Sequence, residues 1–211
     1  MYSIKEIYKT IQGEGAYSGR PAVFCRFTGC NLWTGREKDR PNAVCQFCDT
    51  DFVGTDGLNG GKYGATELAL RIGQVWQEAC DYTGYRFVVF TGGEPLLQLD
   101  EVLIREVKAK GFCIAVETNG TSDAPKGIDW VCVSPKSGAT LKLKKGNELK
   151  LVFPQHDLPP ESVADLEFDR YFLQPMDGPN VKENTKLATE YCLAHPQWEL
   201  SLQMHKLLGI P

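Results

Sequence analysis

A chain of 211 residues, 42% of them hydrophobic, is long enough to close one well-formed core, and its formal net charge of -4 excludes strong attraction to nucleic acid or to an anionic membrane. Early charges at Lys5, Glu6, Lys9, Glu14 and Arg20 exclude a secretory h-region, and no apolar run approaches the roughly 18 residues of a membrane span. A cytoplasmic protein with a small-molecule ligand is expected, its eight cysteines serving as thiols or metal ligands and not as disulfides.

In chain order, a β-branched and aromatic run over 4–11 predicts the first strand, and Gln12-Gly13-Glu14-Gly15 a loop. A second strand is predicted over 22–28, an amphipathic helix over 65–80 opened near Thr66 and Glu67, a strand over 86–91 and a helix over 97–110. Further strands are predicted over 112–118, 129–134, 148–153 and 170–174, a helix over 182–194 opened by Asn180, and a last strand over 199–205. Strands alternating with helices, in a chain short of the ~250 residues of a closed eightfold barrel, predict an α/β fold. The expected form is a partial, open TIM-like βα barrel of about six core strands with few helices. No linker or repeat divides it, so 1–211 reads as one domain. Cys80, Cys113, Cys132 and Cys192 lie within apolar patterns and are expected to pack as small hydrophobes.

Parallel βα folds collect chemistry at the carboxyl ends of their strands. Those ends carry Cys30, Gly92-Gly93-Glu94-Pro95, Glu117-Thr118-Asn119-Gly120, Ser134-Pro135-Lys136, Gln174-Pro175-Met176-Asp177 and His205, so one polar rim is expected.

Cys30 is followed by fourteen residues and then the pair Cys45 and Cys48. A closed zinc site wants four ligands, and neither His156, His195 and His205 nor the strand residue Cys25 stands at ligand spacing from the pair. Zinc completed from a distance is one reading. The other is a four-iron, four-sulfur cluster with one iron left open, on which the amino acid end of S-adenosylmethionine can sit. Thr91-Gly92-Gly93-Glu94-Pro95 would then offer bare backbone groups and one carboxylate for an ammonium, although alone it reads as a strand-to-helix turn.

Three cysteines after the first core strand and Gly92-Gly93-Glu94 after the second resemble the radical S-adenosylmethionine superfamily. Thr10-Ile11-Gln12-Gly13-Glu14-Gly15, Cys48-Asp49-Thr50, Glu117-Thr118-Asn119-Gly120, Val133-Ser134-Pro135-Lys136, Asn147-Glu148-Leu149-Lys150 and Gln174-Pro175-Met176-Asp177 narrow the resemblance to the 7-carboxy-7-deazaguanine synthase family, across essentially the whole chain. The superfamily's usual cysteine spacing is three and then two, so the stretch between Cys30 and Cys45 is an insertion. Its Arg36-Glu37-Lys38-Asp39-Arg40 reads as a solvated loop.

The resemblance implies conversion of 6-carboxy-5,6,7,8-tetrahydropterin to 7-carboxy-7-deazaguanine, through hydrogen abstraction at C6, ring contraction and loss of ammonia. It implies a [4Fe-4S] cluster on Cys30, Cys45 and Cys48, S-adenosylmethionine, and Mg2+ at Thr50 supported by Asp49. Gly92, Gly93, Glu94, Asn119, Ser134, Lys136 and Gln174 would hold the cofactor; Gln12, Glu14, Arg26, Glu117, His205 and Pro211 would hold the substrate. Alternation along the strand turns Arg26 inward when Cys25 points away, where it could grip a carboxylate bidentately or form a strand-face ion pair, with Glu14 as a candidate partner. A flavodoxin or ferredoxin as electron donor and a homodimer are also implied. Rival readings are another radical enzyme, such as an activator of a glycyl-radical partner, and a non-catalytic zinc module.

Overall fold

The structure, a computed structural model, describes residues 1–78 and 84–211. Its single mixed sheet runs in the order β3-β1-β2-β4-β5-β6-β7-β8-β9. Strands β1 (Tyr2–Ile11) and β2 (Pro21–Phe27) are antiparallel, with Ile7 opposite Cys25, and β3 (Gly61–Tyr63) pairs with the outer edge of β1. From β2 onward the ladder is parallel through β4 (Phe87–Gly92), β5 (Cys113–Thr118), β6 (Trp130–Val133), β7 (Lys145–Phe153), β8 (Glu167–Pro175) and β9 (Trp198–Leu200). The expected core of six parallel strands is therefore β2 with β4 to β8, and the sheet stays open, with β3 and β9 at its edges.

Helices cover the outer face: α1 (Ala65–Glu78), α2 (Glu101–Lys108) and α3 (Val181–Ala194). The crossovers from β5 through β8 contain no α-helix, as expected from their length. Alternation sorts the side chains. Val88 and Phe90 on β4 join Ile7, Cys25 and Phe27 under Ile72, Leu103 and Val107 of α1 and α2, while Phe87 and Val89 turn the other way with Ala22 and Ala115. Tyr17, with ring centroids 4.9 Å from Phe87 and 4.7 Å from Trp130, plugs the amino-terminal end of that inner face. A second core lies at α3, where Leu149, Leu151 and Leu173 meet Ala188 and Trp198. Arg26, next to Cys25 on β2, faces the inner side.

Three expected elements differ. The helix predicted over 97–110 is a 3-10 turn at Pro95–Leu97 followed by α2, because Asp100 caps the helix by accepting from the Leu103 amide at 2.9 Å. The last strand is short: β9 stops at Leu200, and α4 (Met204–Leu208) follows. There the Met204 amide donates to the Gly13 carbonyl at 3.0 Å, drawing the chain across the rim, so His205 rides on a helix. Helix α1 opens at Ala65 and not Thr66; Glu67 accepts from the Gly64 amide, and Asn180 stands before α3 without a side-chain cap. Cys132 is buried, and Cys113 and Cys192 are half-buried, while Cys80 lies outside the described residues. Among the described residues no helix is long and apolar enough to cross a membrane.

Candidate active site

The strand ends surround two adjoining cavities, of about 190 and about 260 Å³. Their shared wall is Glu14, Asp49, Thr50, Thr91, Glu117 and Gln203. The first cavity takes Cys30, Cys45, Cys48, Gly92, Gly93, Asn119, Ser134, Lys136 and Gln174; the second takes Gln12, Arg26, His205 and Pro211. Thus, of the residues assigned by resemblance, the cofactor set lines the first cavity, the substrate set lines the second with Glu14 and Glu117 in the wall between, and Glu94 lies outside both.

Cys30 leaves β2 through Gly29, whose φ of +82° favours glycine. Its turn packs on Gly93: the Glu94 amide donates to the Gly29 carbonyl at 2.8 Å, and a Cβ on Gly93 would run into that carbonyl and the Cys30 Cβ. Cys45 returns because its amide and that of Val44 both donate to the Leu32 carbonyl, at 3.3 and 3.1 Å. The insertion between them is exposed at Arg36, Glu37 and Lys38, as expected, but it is a folded segment and not an irregular loop. A 3-10 segment, Glu37–Asn42, is tied down by Thr34 to Asp39 at 2.6 Å and by Gln46 to the Pro41 carbonyl at 3.0 Å, over a buried Trp33 packed edge-on against Phe52.

The Cys48 thiol is pulled down to about 6, chiefly by a hydrogen bond from Cys45, whose own thiol is pushed up by making it. Burial raises Cys30. Among the described residues no group of three His, Cys, Asp or Glu side chains is gathered tightly enough for a single metal ion. The three thiols line one cavity, with Cys45 donating to Cys48, a donor set that separate irons of one cluster could share.

Glu94 is fully buried, and its carboxylate accepts from Thr118 Oγ1 at 2.7 Å, the Asn119 amide at 2.8 Å and the Leu96 amide at 3.0 Å. It therefore ties the end of β4 to the end of β5, with three donors already on its two oxygens. Burial raises its carboxyl despite those donors. Lys136 donates to the Ser134 carbonyl and hydroxyl at 2.7 and 2.6 Å, Asn119 contacts Asn31 at 3.1 Å, and Gln174 accepts from Ser201 at 3.1 Å. Burial lowers Lys136.

Two residues were missed from sequence. Lys150, only 4% exposed, donates to Glu14 at 2.6 Å and to Glu117 at 2.8 Å. Burial would raise the Glu14 carboxyl, but Lys150 and a 3.0 Å hydrogen bond from Gln203 outweigh it and hold it down at about 2. The same two carboxylates keep Lys150 protonated against its burial. Alternating Glu148-Leu149-Lys150 was the available signal, since a charged strand face can be an inner face. Gln203 left none. Gln12 completes the group, donating to Glu117 at 3.2 Å.

Arg26 pairs with Glu6 at 2.8 Å through Nε and with the Tyr8 hydroxyl at 2.8 Å through Nη2. Its strand-face partner is thus Glu6 and not Glu14, and the Nε–Nη2 edge is already used. Asp49 is held by Lys206 of α4, which also reaches Asp177 at 2.6 Å, so the carboxyl-terminal helix is latched to the cysteine loop and to the end of β8. Gly13 makes room for His205, whose ring a Cβ there would strike.

No family model matches the chain. It is 62% identical over 211 residues to the 7-carboxy-7-deazaguanine synthase of Bordetella pertussis, covering 100% of this chain and 99% of that protein. It is 60% identical over 210 residues to the synthase of the same name from Bradyrhizobium diazoefficiens, covering 99% of both. Its fold is similar to the crystal structure of QueE from Escherichia coli, with a TM-score of 0.71 and 28% identity over 97% of this chain and 94% of that one.

Proposed function

Because this chain belongs to the 7-carboxy-7-deazaguanine synthase family, we propose that its two cavities divide that family's reaction between them. The chain is an enzyme of 7-deazapurine biosynthesis, converting 6-carboxy-5,6,7,8-tetrahydropterin to 7-carboxy-7-deazaguanine with release of ammonia. The observation that carries this reading is the division itself: three thiols and a glycine turn line one cavity, an arginine and a histidine the other, and paired glutamates stand between.

Cys30, Cys45 and Cys48 would hold a [4Fe-4S] cluster, with Gly92 and Gly93 giving S-adenosylmethionine close backbone approach and Asn119, Ser134, Lys136 and Gln174 meeting its nucleoside. Bound there, the two would supply hydrogen-abstracting radical chemistry. Arg26 meets the substrate carboxylate through Nη1, its remaining corner. Glu14 and Glu117 accept from the N–H donors of the pterin's amino-pyrimidinone edge; Lys150 pairs with both and holds Glu14 ionised. His205 and Pro211 close the second cavity, and Thr50, at the junction, would offer its hydroxyl to a Mg2+ ion, a cation that prefers oxygen ligands. Positioning and exclusion of water are the protein's share. A flavodoxin or ferredoxin as donor, a homodimer and a cytoplasmic location complete the proposal.

The test is anaerobic turnover of the reconstituted protein with S-adenosylmethionine and carboxypterin. Formation of 7-carboxy-7-deazaguanine is expected. A reduced, cofactor-loaded protein that yields none would point to another radical enzyme, and zinc without iron or sulfide would favour the zinc module.

A further inference from the structure

The fourteen residues between Cys30 and Cys45 have no part in the scheme so far. Arg40 gives them one. It is carried by the Glu37–Asn42 segment and turned back toward the cysteine pair, only 27% exposed despite standing in a charged surface run. Its Nη1 donates to the carbonyls of Gln46 at 2.8 Å and Cys48 at 3.0 Å. Nε and Nη2 donate to the two oxygens of Glu37 at 2.7 and 2.6 Å, and the guanidinium lies 4.0 Å from the centre of the Trp33 ring. Four of its five N–H donors are thus spent within the insertion and on the ligand turn.

One carbonyl lies between Cys45 and Cys48 and the other is that of Cys48 itself, so holding the two fixes the backbone that leads into and out of Cys48. A surface arginine has no need of a buried tryptophan platform and two backbone acceptors. An arginine set to hold that turn needs both, and its planar fork is what fits carbonyls on one side and a carboxylate on the other. It also turns the positive end of the Arg40–Glu37 pair toward the ligand turn, with Glu37 offsetting part of the charge on the far side.

We propose that the insertion is a clasp for the iron–sulfur cluster, in which Arg40 is the positioning residue that fixes the Cys45–Cys48 turn and raises the cluster's reduction potential. The proposal rests on the cluster reading above. Adding an electron to the cluster adds negative charge, which a nearby guanidinium favours, so removing it lowers the potential.

The test uses the full-length chain reconstituted anaerobically, with Arg40→Met and Arg40→Lys beside the unsubstituted protein, and circular dichroism to confirm folding. Two quantities are read: the rate at which a ferrous chelator strips iron, and the midpoint potential. Arg40→Met is expected to lose iron about tenfold faster or more and to shift to a more negative potential. Arg40→Lys keeps the charge without the fork, so it is expected to lose iron faster while its potential stays near that of the unsubstituted protein. If Arg40→Met matches the unsubstituted protein in both, the clasp is overturned. If Arg40→Lys holds iron as well as arginine does, the bracing role is overturned. An unsubstituted protein that takes up no iron defeats the cluster reading instead, so the two failures are distinguishable.

Discussion

The two walls of the site are built on opposite principles. On the cysteine side, Cys45 and Cys48 are placed by short-range contacts: a shared Leu32 carbonyl, a tryptophan platform and an arginine a few residues from the carbonyls it holds. On the facing side, Lys150 gathers Glu14 and Glu117, 136 and 33 residues distant, from β7, the loop after β1 and the end of β5. A locally built wall can take an insertion, provided the insertion supplies its own braces. A wall built from distant strands is fixed by the whole sheet and tolerates little.

The largest break is on the cysteine side. Cys30→Ala should abolish the cluster, read as iron and sulfide per chain after anaerobic reconstitution, because two thiolates in one turn do not replace a third from the end of β2. Circular dichroism should show the sheet intact, since Cys30 lies beyond the last residue of β2.

Lys150→Met should break the facing wall. Removing one partner of a buried ionic group leaves uncompensated charge, so a loss of about 3 to 5 kcal/mol is expected in denaturant melts. Glu14 is depressed to about 2, so its contribution is present above its ordinary value of 4.5 and is lost as pH falls toward 2. Without Lys150, burial acts on that carboxyl with less opposition and raises it. Carboxypterin affinity should then fall on the mildly acidic side, where the unsubstituted protein binds evenly. A flat profile in Lys150→Met would contradict the assigned role.

Glu94→Gln probes the seam between β4 and β5. Three donors converge on this carboxylate, and an amide presents its own N–H to one of them, so about 1 to 3 kcal/mol of stability should be lost. If Glu94 instead met a ligand ammonium directly, cofactor binding would suffer beyond what the melt explains. Lys206→Met, at the half-exposed latch between Asp49 and Asp177, should be the mildest, within about 1 kcal/mol and weaker still at high salt.

The parallel core was legible because apolar β-branched runs such as Phe87 to Phe90 fit nothing else, and the rim because polar residues follow such runs abruptly. Lys150 was not, since alternation on β7 says only that its charged residues share a face; the curvature of the sheet turns that face inward. Arg40 was hidden the same way, as one charge among five in Arg36-Glu37-Lys38-Asp39-Arg40, distinguished only by what Trp33, Gln46 and Cys48 place around it. Asp100 was a readable cap inside an apparently continuous helical pattern. The turn of the chain after Leu200 depends on the Gly13 carbonyl, a partner far away in sequence.

The division of labour between the two cavities is tested most directly by measuring carboxypterin and S-adenosylmethionine affinities separately in Arg26→Ala. Arg26 lines only the second cavity. Carboxypterin binding should weaken far more than cofactor binding; equal loss of both, or of neither, would contradict it.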